Sequence, residues 1–164
     1  MVLDQQVPIE WAFSAPATLR TRLGAQWGVR EIAELPREDL IAAFVTKPAL
    51  HRYPAAMATR IHDLCQALVV RYDADIEALW QGQDAESVVH RVRALPGFGD
   101  EKTRIFVALL AKKFGICPVG WEQACAPFGD AAPRTAADIF DPASLTAVRA
   151  WKKAMRATGH TKSD

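Results

Sequence analysis

The chain has 164 residues, 50% of them hydrophobic, enough for one compact domain with a sizeable core and too few for two of full size. Lys and Arg number 20 and Asp and Glu 19, a formal charge of +1. This excludes a protein that coats polyanions by net charge, so any affinity for an anion must be local. The three cysteines, Cys65, Cys117 and Cys125, are too few and too scattered for a four-thiolate iron–sulfur cluster or a tetrahedral zinc knuckle. Their odd number does not suggest a disulfide scaffold, and no His-x-Glu or Cys-x-x-Cys pattern places metal ligands, so neither metal nor cofactor is expected. No apolar run approaches a membrane span, and the opening residues lack the zones of a signal peptide. A soluble, cytoplasmic protein that makes no membrane contact is expected.

Apolar residues recur at three- and four-residue spacing almost throughout, and strand-like alternation is hard to find, which predicts an all-α fold. Apolar residues begin at Val2 with no cap ahead of them, as though an element were missing or began elsewhere. Pro36, Pro54 and Pro142 each stand where a first helical turn begins, because the missing proline N–H has no helical partner there. After Pro54 the stripe Met57, Ile61, Leu64, Cys65, Leu68 and Val69 predicts a central core helix. Asp84 is placed to cap a helix carrying Val88, Val89, Val92 and Leu95, which stops at Pro96-Gly97. A second helix follows, with Asp100 as its expected cap, Ile105, Phe106, Leu109 and Leu110 facing inward, and Gly115 as terminator. The two form a hairpin over residues 84–115. Asp141-Pro142 opens a last helix, with Leu145, Val148, Trp151 and Met155 inward and Arg149, Lys152, Lys153 and Arg156 supplying charge, before a polar tail from about residue 160.

The hairpin connection, Leu95-Pro96-Gly97-Phe98-Gly99-Asp100-Glu101-Lys102, is the informative segment. Glycines at 97 and 99 permit positive φ and leave no Cβ in the way, so backbone N–H groups of the turn and the next helix can approach an external anion. Phe98 is expected to plug into the core and fix the interhelical angle, and Lys102 to add a charge-assisted contact. Such a clamp grips a phosphate backbone without reading bases. For Gly-x-Gly alone, the competing reading is a plain turn between two helices.

The whole context, Leu-Pro-Gly-Phe-Gly after an apolar helix and before a second with Lys-Thr near its start, resembles the helix-hairpin-helix element of the base-excision DNA glycosylase superfamily, which contains endonuclease III and the adenine glycosylase acting on mismatches. Leu3-Asp4-Gln5-Gln6-Val7-Pro8 resembles that family's Leu-Ser-Ala-Gln-Ala-Thr segment, whose Gln enters the DNA beside the flipped nucleotide; Gln6 is the matching position. Ala49-Leu50-His51-Arg52-Tyr53, with Ala58, Arg60 and Ile61, resembles the family's Gly-Leu-Tyr segment and the long helix after it. The resemblance spans about residues 3–128 and is nearest to a compact actinobacterial-type branch without an iron–sulfur cluster. It implies a helical DNA glycosylase fold, duplex DNA as partner through its phosphate backbone and a flipped base, a monomer, and a nucleoid-associated location.

Breaking an N-glycosidic bond passes through an oxocarbenium-like sugar and requires a fixed carboxylate. The family supplies an Asp after the second hairpin helix. Here, matching Pro118-Val119 to the residues before that Asp places Gly120 at its position, whereas counting from Phe114-Gly115 places Glu122 there. Glu122 is the candidate catalytic carboxylate, with a solvated first-turn acid as the alternative. Strand-cleaving relatives use a Lys two residues after the second hairpin glycine; that position is Glu101, and Lys102 lies about 100° further round the helix. Lys102 is thus a weaker candidate nucleophile, with a phosphate contact or a solvated charge as its alternatives. Base removal by water is favoured over lyase chemistry.

Trp121 and Tyr53 are candidates for a base pocket, and Trp11 and Trp27 also carry faces on which a base can stack, against a core role for each. His51, Arg52 and His62 are candidates for phosphate or base-edge contacts, against ordinary surface roles, and Cys117 and Cys125 read as small apolar packers. The Lys152, Lys153 and Arg156 face is able to reach flanking phosphates, or is simply solvated. A glycosylase therefore stands first, a DNA-binding or damage-sensing protein without the carboxylate second, and a helical protein-interaction module third.

Overall fold

A computed structural model describes residues 1–159. The polar tail expected from about residue 160 lies outside the described residues. Those residues form α-helices and short 3-10 turns with no strand, as the spacing of apolar residues predicts. They pack as two compact units, one of Met1–Ala78 with Leu95–Gly97, the other of Leu79–Ala94 with the chain from Phe98 onward.

The first unit holds α1 (Ile9–Leu23), α2 (Val29–Glu34), α3 (Arg37–Val45) and α4 (Pro54–Tyr72). Pro54 is the first residue of α4, and Asp73 ends that helix in the left-handed conformation, returning its N–H to the carbonyls of Leu68 and Val69. Pro36 stands one residue before α3. α2 and α3 pack on α4, burying Ile32, Leu35, Leu40, Phe44, Met57, Ala58 and Cys65 in a common core. Of the predicted α4 stripe, Met57, Cys65 and Leu68 are buried, and Ile61, Leu64 and Val69 are half-buried. The uncapped apolar start has a simple outcome. Val2 and Leu3 are core residues of an irregular segment, and Pro8 precedes α1 without a side-chain cap.

The second unit holds α5 (Ala85–Arg93), α6 (Asp100–Phe114), α7 (Trp121–Ala124) and α8 (Pro142–Ala157). Asp84 caps α5 by accepting from the Ser87 N–H at 2.8 Å, and that N–H with the Ser87 hydroxyl holds the Asp84 carboxyl below the usual carboxylate range. The expected cap at Asp100 is corrected by one residue: Gly99 is the α6 cap and Asp100 the first helical residue, its carboxylate drawn to Arg93 at 2.9 Å instead of to the backbone. Gly115 closes α6 in the left-handed conformation. α6 is the central helix, with Ile105 and Val107 through Ala111 buried and Phe106 half-buried. Lys112 near its end reaches Asp138 at 2.6 Å, a largely buried pair; the carboxylate also accepts the Arg134 and Thr135 N–H groups at 3.0 and 2.8 Å. Asp141 caps α8 through the Ser144 N–H at 2.7 Å, and Val148 is that helix's buried residue. Leu145, Trp151 and Met155 are half-buried, with the Arg134 guanidinium 4.9 Å over the Trp151 ring.

Candidate nucleic-acid interface

In the first unit the segment ahead of α1 and the connection before α4 meet. Gln6 is exposed and adopts φ +57°, a left-handed conformation that a long side chain rarely takes without support from its surroundings. The support is visible. His51, only 1% exposed, places Nε2 3.0 Å from the Gln5 carbonyl and Nδ1 3.0 Å from the Tyr53 N–H. The Tyr53 hydroxyl reaches Gln6 Oε1 at 3.4 Å, and Arg60 on α4 donates to Gln5 Oε1 at 2.9 Å. The Arg52 guanidinium lies 5.4 Å from the centre of the exposed Tyr53 ring. Three predicted residues, Gln6, Arg52 and Tyr53, are thereby brought together.

Gly97 belongs to the same unit, and its backbone conformation calls for glycine. Its φ is +87°, and a Cβ there would stand 3.0 Å from Arg60 Cδ and 3.4 Å from Val2 Cγ1. Gly99 differs from expectation. Its backbone is extended (φ −90°, ψ 178°), the ordinary conformation of a helix cap, so positive φ is a property of Gly97 alone. What Gly99 contributes is open space, since no atom lies within 4 Å of a Cβ built on it and no side chain caps α6. Among the described residues, no internal acceptor takes the Phe98 or Gly99 N–H. Phe98 is half-buried, packed edge-on to Phe106 with ring centres 5.8 Å apart, a partial version of the expected plug. Lys102, in the first turn of α6, and its neighbour Glu101 are half-buried, and each is engaged by a partner in the chain.

The stretch that holds the candidate carboxylate lies in the second unit. Gly120 has φ +83° and precedes α7; in that conformation glycine is the least strained residue. Glu122 is exposed in the single turn of α7, and Trp121 beside it is half-buried. A pocket of about 360 Å³ opens next to Gly120, and the carboxylates that border it are Asp84 and Glu86, not Glu122. Sequence reasoning gave Asp84 only a capping role and passed over Glu86. The two stretches meet through the Ala85 N–H, which donates to the Val119 carbonyl at 3.0 Å, a long-range contact without a local sequence signal.

Several expectations are corrected. His51 and His62 are buried, not surface groups; each offers Nε2 to a backbone carbonyl at 3.0 Å, that of Gln5 and that of Leu35 respectively. Cys117 is exposed and packs no core, whereas burial pushes the Cys125 thiol up to about 11. Trp11 and Trp27 are partly exposed; Trp11 lies beside His51, and Trp27 borders an apolar hollow of about 340 Å³ with Leu19, Ile32 and Cys65. On α8, Lys153 and Arg156 are exposed and Lys152 is half-buried with a partner. Among the described residues no group of three or more His, Cys, Asp or Glu is arranged to hold a metal ion, and no helix is long and apolar enough to cross a membrane.

The features thus assembled are those of an all-helical protein with an open, glycine-lined helix-to-helix bend and a braced, exposed glutamine. Comparison with protein families, with curated proteins and with solved structures finds no match for this chain.

Proposed function

We propose that the chain is a DNA-binding protein of base-excision repair, which docks a phosphate strand on the bend at residues 97–99, presses Gln6 into the space left by an extruded nucleotide, and hydrolyses the N-glycosidic bond of a damaged or mismatched base. The observation that carries the reading is the bend itself. Gly99 is exposed, the α6 start has no side-chain cap, and the Phe98 and Gly99 amides are left to an outside acceptor. Gln6 supports it independently, because an exposed side chain on a left-handed backbone, met at Oε1 by the Tyr53 hydroxyl and preceded by a Gln5 carbonyl that His51 holds, suits a group that must keep its pose against a base stack. In the first unit Tyr53 offers an aromatic face for a base and Arg52 a phosphate contact; in the second, Trp121 offers an aromatic face and Glu122 is the candidate carboxylate for the sugar cation.

Gly120 favours a second reading, a damage sensor that binds without cleaving, because the expected carboxylate is replaced by a left-handed glycine and Glu122 stands in solvent. One assay separates the two. Duplexes carrying uracil, oxidised purines, alkylated bases or mismatches are incubated with the protein and treated with alkali. Abasic product on one lesion supports the glycosylase; binding without product across the panel supports the sensor. Failure to bind any duplex, or affinity that ignores salt where each neutralised phosphate should contribute about −0.9 to the log–log slope, overturns both.

A further inference from the structure

We propose that His51 is the positioning residue for Gln6, acting as a neutral imidazole with its proton on Nε2. The assignment follows from the partners, which are both backbone groups of fixed polarity. A carbonyl only accepts, so the nitrogen 3.0 Å from Gln5 O carries hydrogen; an amide only donates, so the nitrogen 3.0 Å from the Tyr53 N–H carries a lone pair. The ring is 1% exposed, so losing either bond would leave a buried polar group without a partner.

The Gln5 carbonyl belongs to the peptide group that leads into Gln6. Fixing that peptide plane fixes the reference from which the Gln6 N–Cα rotation departs, and φ +57° is the conformation it holds. The second bond closes a loop: His51 holds the Tyr53 backbone, and the Tyr53 hydroxyl returns to Gln6 Oε1. Trp11 on α1 and Tyr53 flank the imidazole, with ring centres 6.4 and 6.1 Å away, and prevent it from swinging out. Arg60 braces the neighbouring Gln5 side chain at 2.9 Å.

A second proton on the ring puts N–H against N–H at Tyr53 and breaks the loop. The charged groups on the elements that meet here are Asp4 ahead of α1, Glu10, Arg20 and Arg22 on α1, Lys47 and Arg52 in the connection before α4, and Arg60, Asp63 and Arg71 on α4.

What the braced pose serves rests on the DNA reading above; the brace itself is tested without DNA. Long-range 1H–15N spectra of the whole chain should show the Nε2–H tautomer at neutral pH, and on acidification the Gln6 and Tyr53 amide resonances should move along the His51 titration curve. The Nδ1–H tautomer, or amides indifferent to the ring, overturns the proposal. His51→Phe should keep the helical circular dichroism, shift the Gln6 amide and weaken duplex binding about tenfold, equivalent to ~1.4 kcal/mol, with His51→Gln recovering part of the loss. Should His51→Phe fail to fold, the wild-type titration decides alone. Wild-type protein that binds no duplex sinks the DNA reading and leaves the brace to the spectra; wild-type binding matched by His51→Phe with an unmoved Gln6 amide sinks the brace.

Discussion

The two hairpin glycines make opposite demands, and substituting them separates stability from binding. Gly97 occupies φ +87°, where an L-residue loses roughly 1–2 kcal/mol. The new Cβ would also meet Arg60 Cδ at 3.0 Å, and Arg60 is tethered to Gln5, so part of that strain passes to the Gln6 segment. Gly97→Ala is thus expected to lower Tm by roughly 2–8 °C for a chain of this length. Gly99 sits at φ −90° and ψ 178° with nothing within 4 Å of the added atom. Gly99→Ser supplies the missing α6 cap and restricts the unfolded chain, and should raise stability by about 0.5–1 kcal/mol. The serine accepts from the Glu101 or Lys102 N–H, and its side chain fills the open space beside the Phe98 and Gly99 amides that the proposal assigns to phosphate, so Gly99→Ser should bind every duplex less well while melting higher. Thermal unfolding by circular dichroism and fluorescence anisotropy on undamaged and damaged duplexes measure the two effects. A Gly99→Ser protein that melts as low as Gly97→Ala, or Gly97→Ala with an unchanged Tm, would refute the conformational argument; Gly99→Ser with full DNA affinity would refute the clamp.

If Glu122 stabilises the sugar cation, Glu122→Gln should abolish base release and spare binding, as read by alkali-revealed cleavage beside anisotropy; unchanged turnover removes it from the site. Asp138→Ala leaves Lys112, only 14% exposed, with the Asp130 carbonyl but no counter-charge, strips the Arg134 and Thr135 N–H groups of their acceptor, and should lose about 3–5 kcal/mol in denaturant unfolding, so a loss below ~1 kcal/mol would show that the pair is not a structural tie. Burial pushes the Cys65 and Cys125 thiols from 9.0 up to about 11, while Cys117 is exposed, so one thiol of three should react promptly in the native protein. Between those pH values the unfolded chain gives up protons that the folded chain keeps, and stability should fall with rising pH by about 1.4 kcal/mol per unit per thiol; a flat alkaline profile contradicts the burial.

Much of the architecture was legible because helix boundaries are written in neighbouring residues. Asp84 caps α5, Pro54 opens α4, Gly115 closes α6, and Asp141-Pro142 starts α8, each through contacts within four or five positions along the chain. At Asp100 the local signal is off by one residue: Gly99 holds the cap position, and the Asp100 carboxylate pairs with Arg93 across the turn. The candidate site was legible only as residue types. Gln6, Arg52 and Tyr53 were chosen by pattern, and nothing in the pattern disclosed that His51 links the Gln5 carbonyl, 46 positions away, to the Tyr53 N–H. Nor could it disclose that Asp84 and Glu86 border the pocket beside Gly120.

The one-dimensional order of residues determined the all-helical class, the helix termini and the open bend, because caps, prolines and left-handed glycines act through the chain's own nearest neighbours. The tertiary structure decided which polar groups are sequestered, which cysteine meets solvent, and which side chains share a surface. Those outcomes depend on the carbonyls, rings and charges that distant segments bring alongside, and spacing along the chain does not encode that proximity.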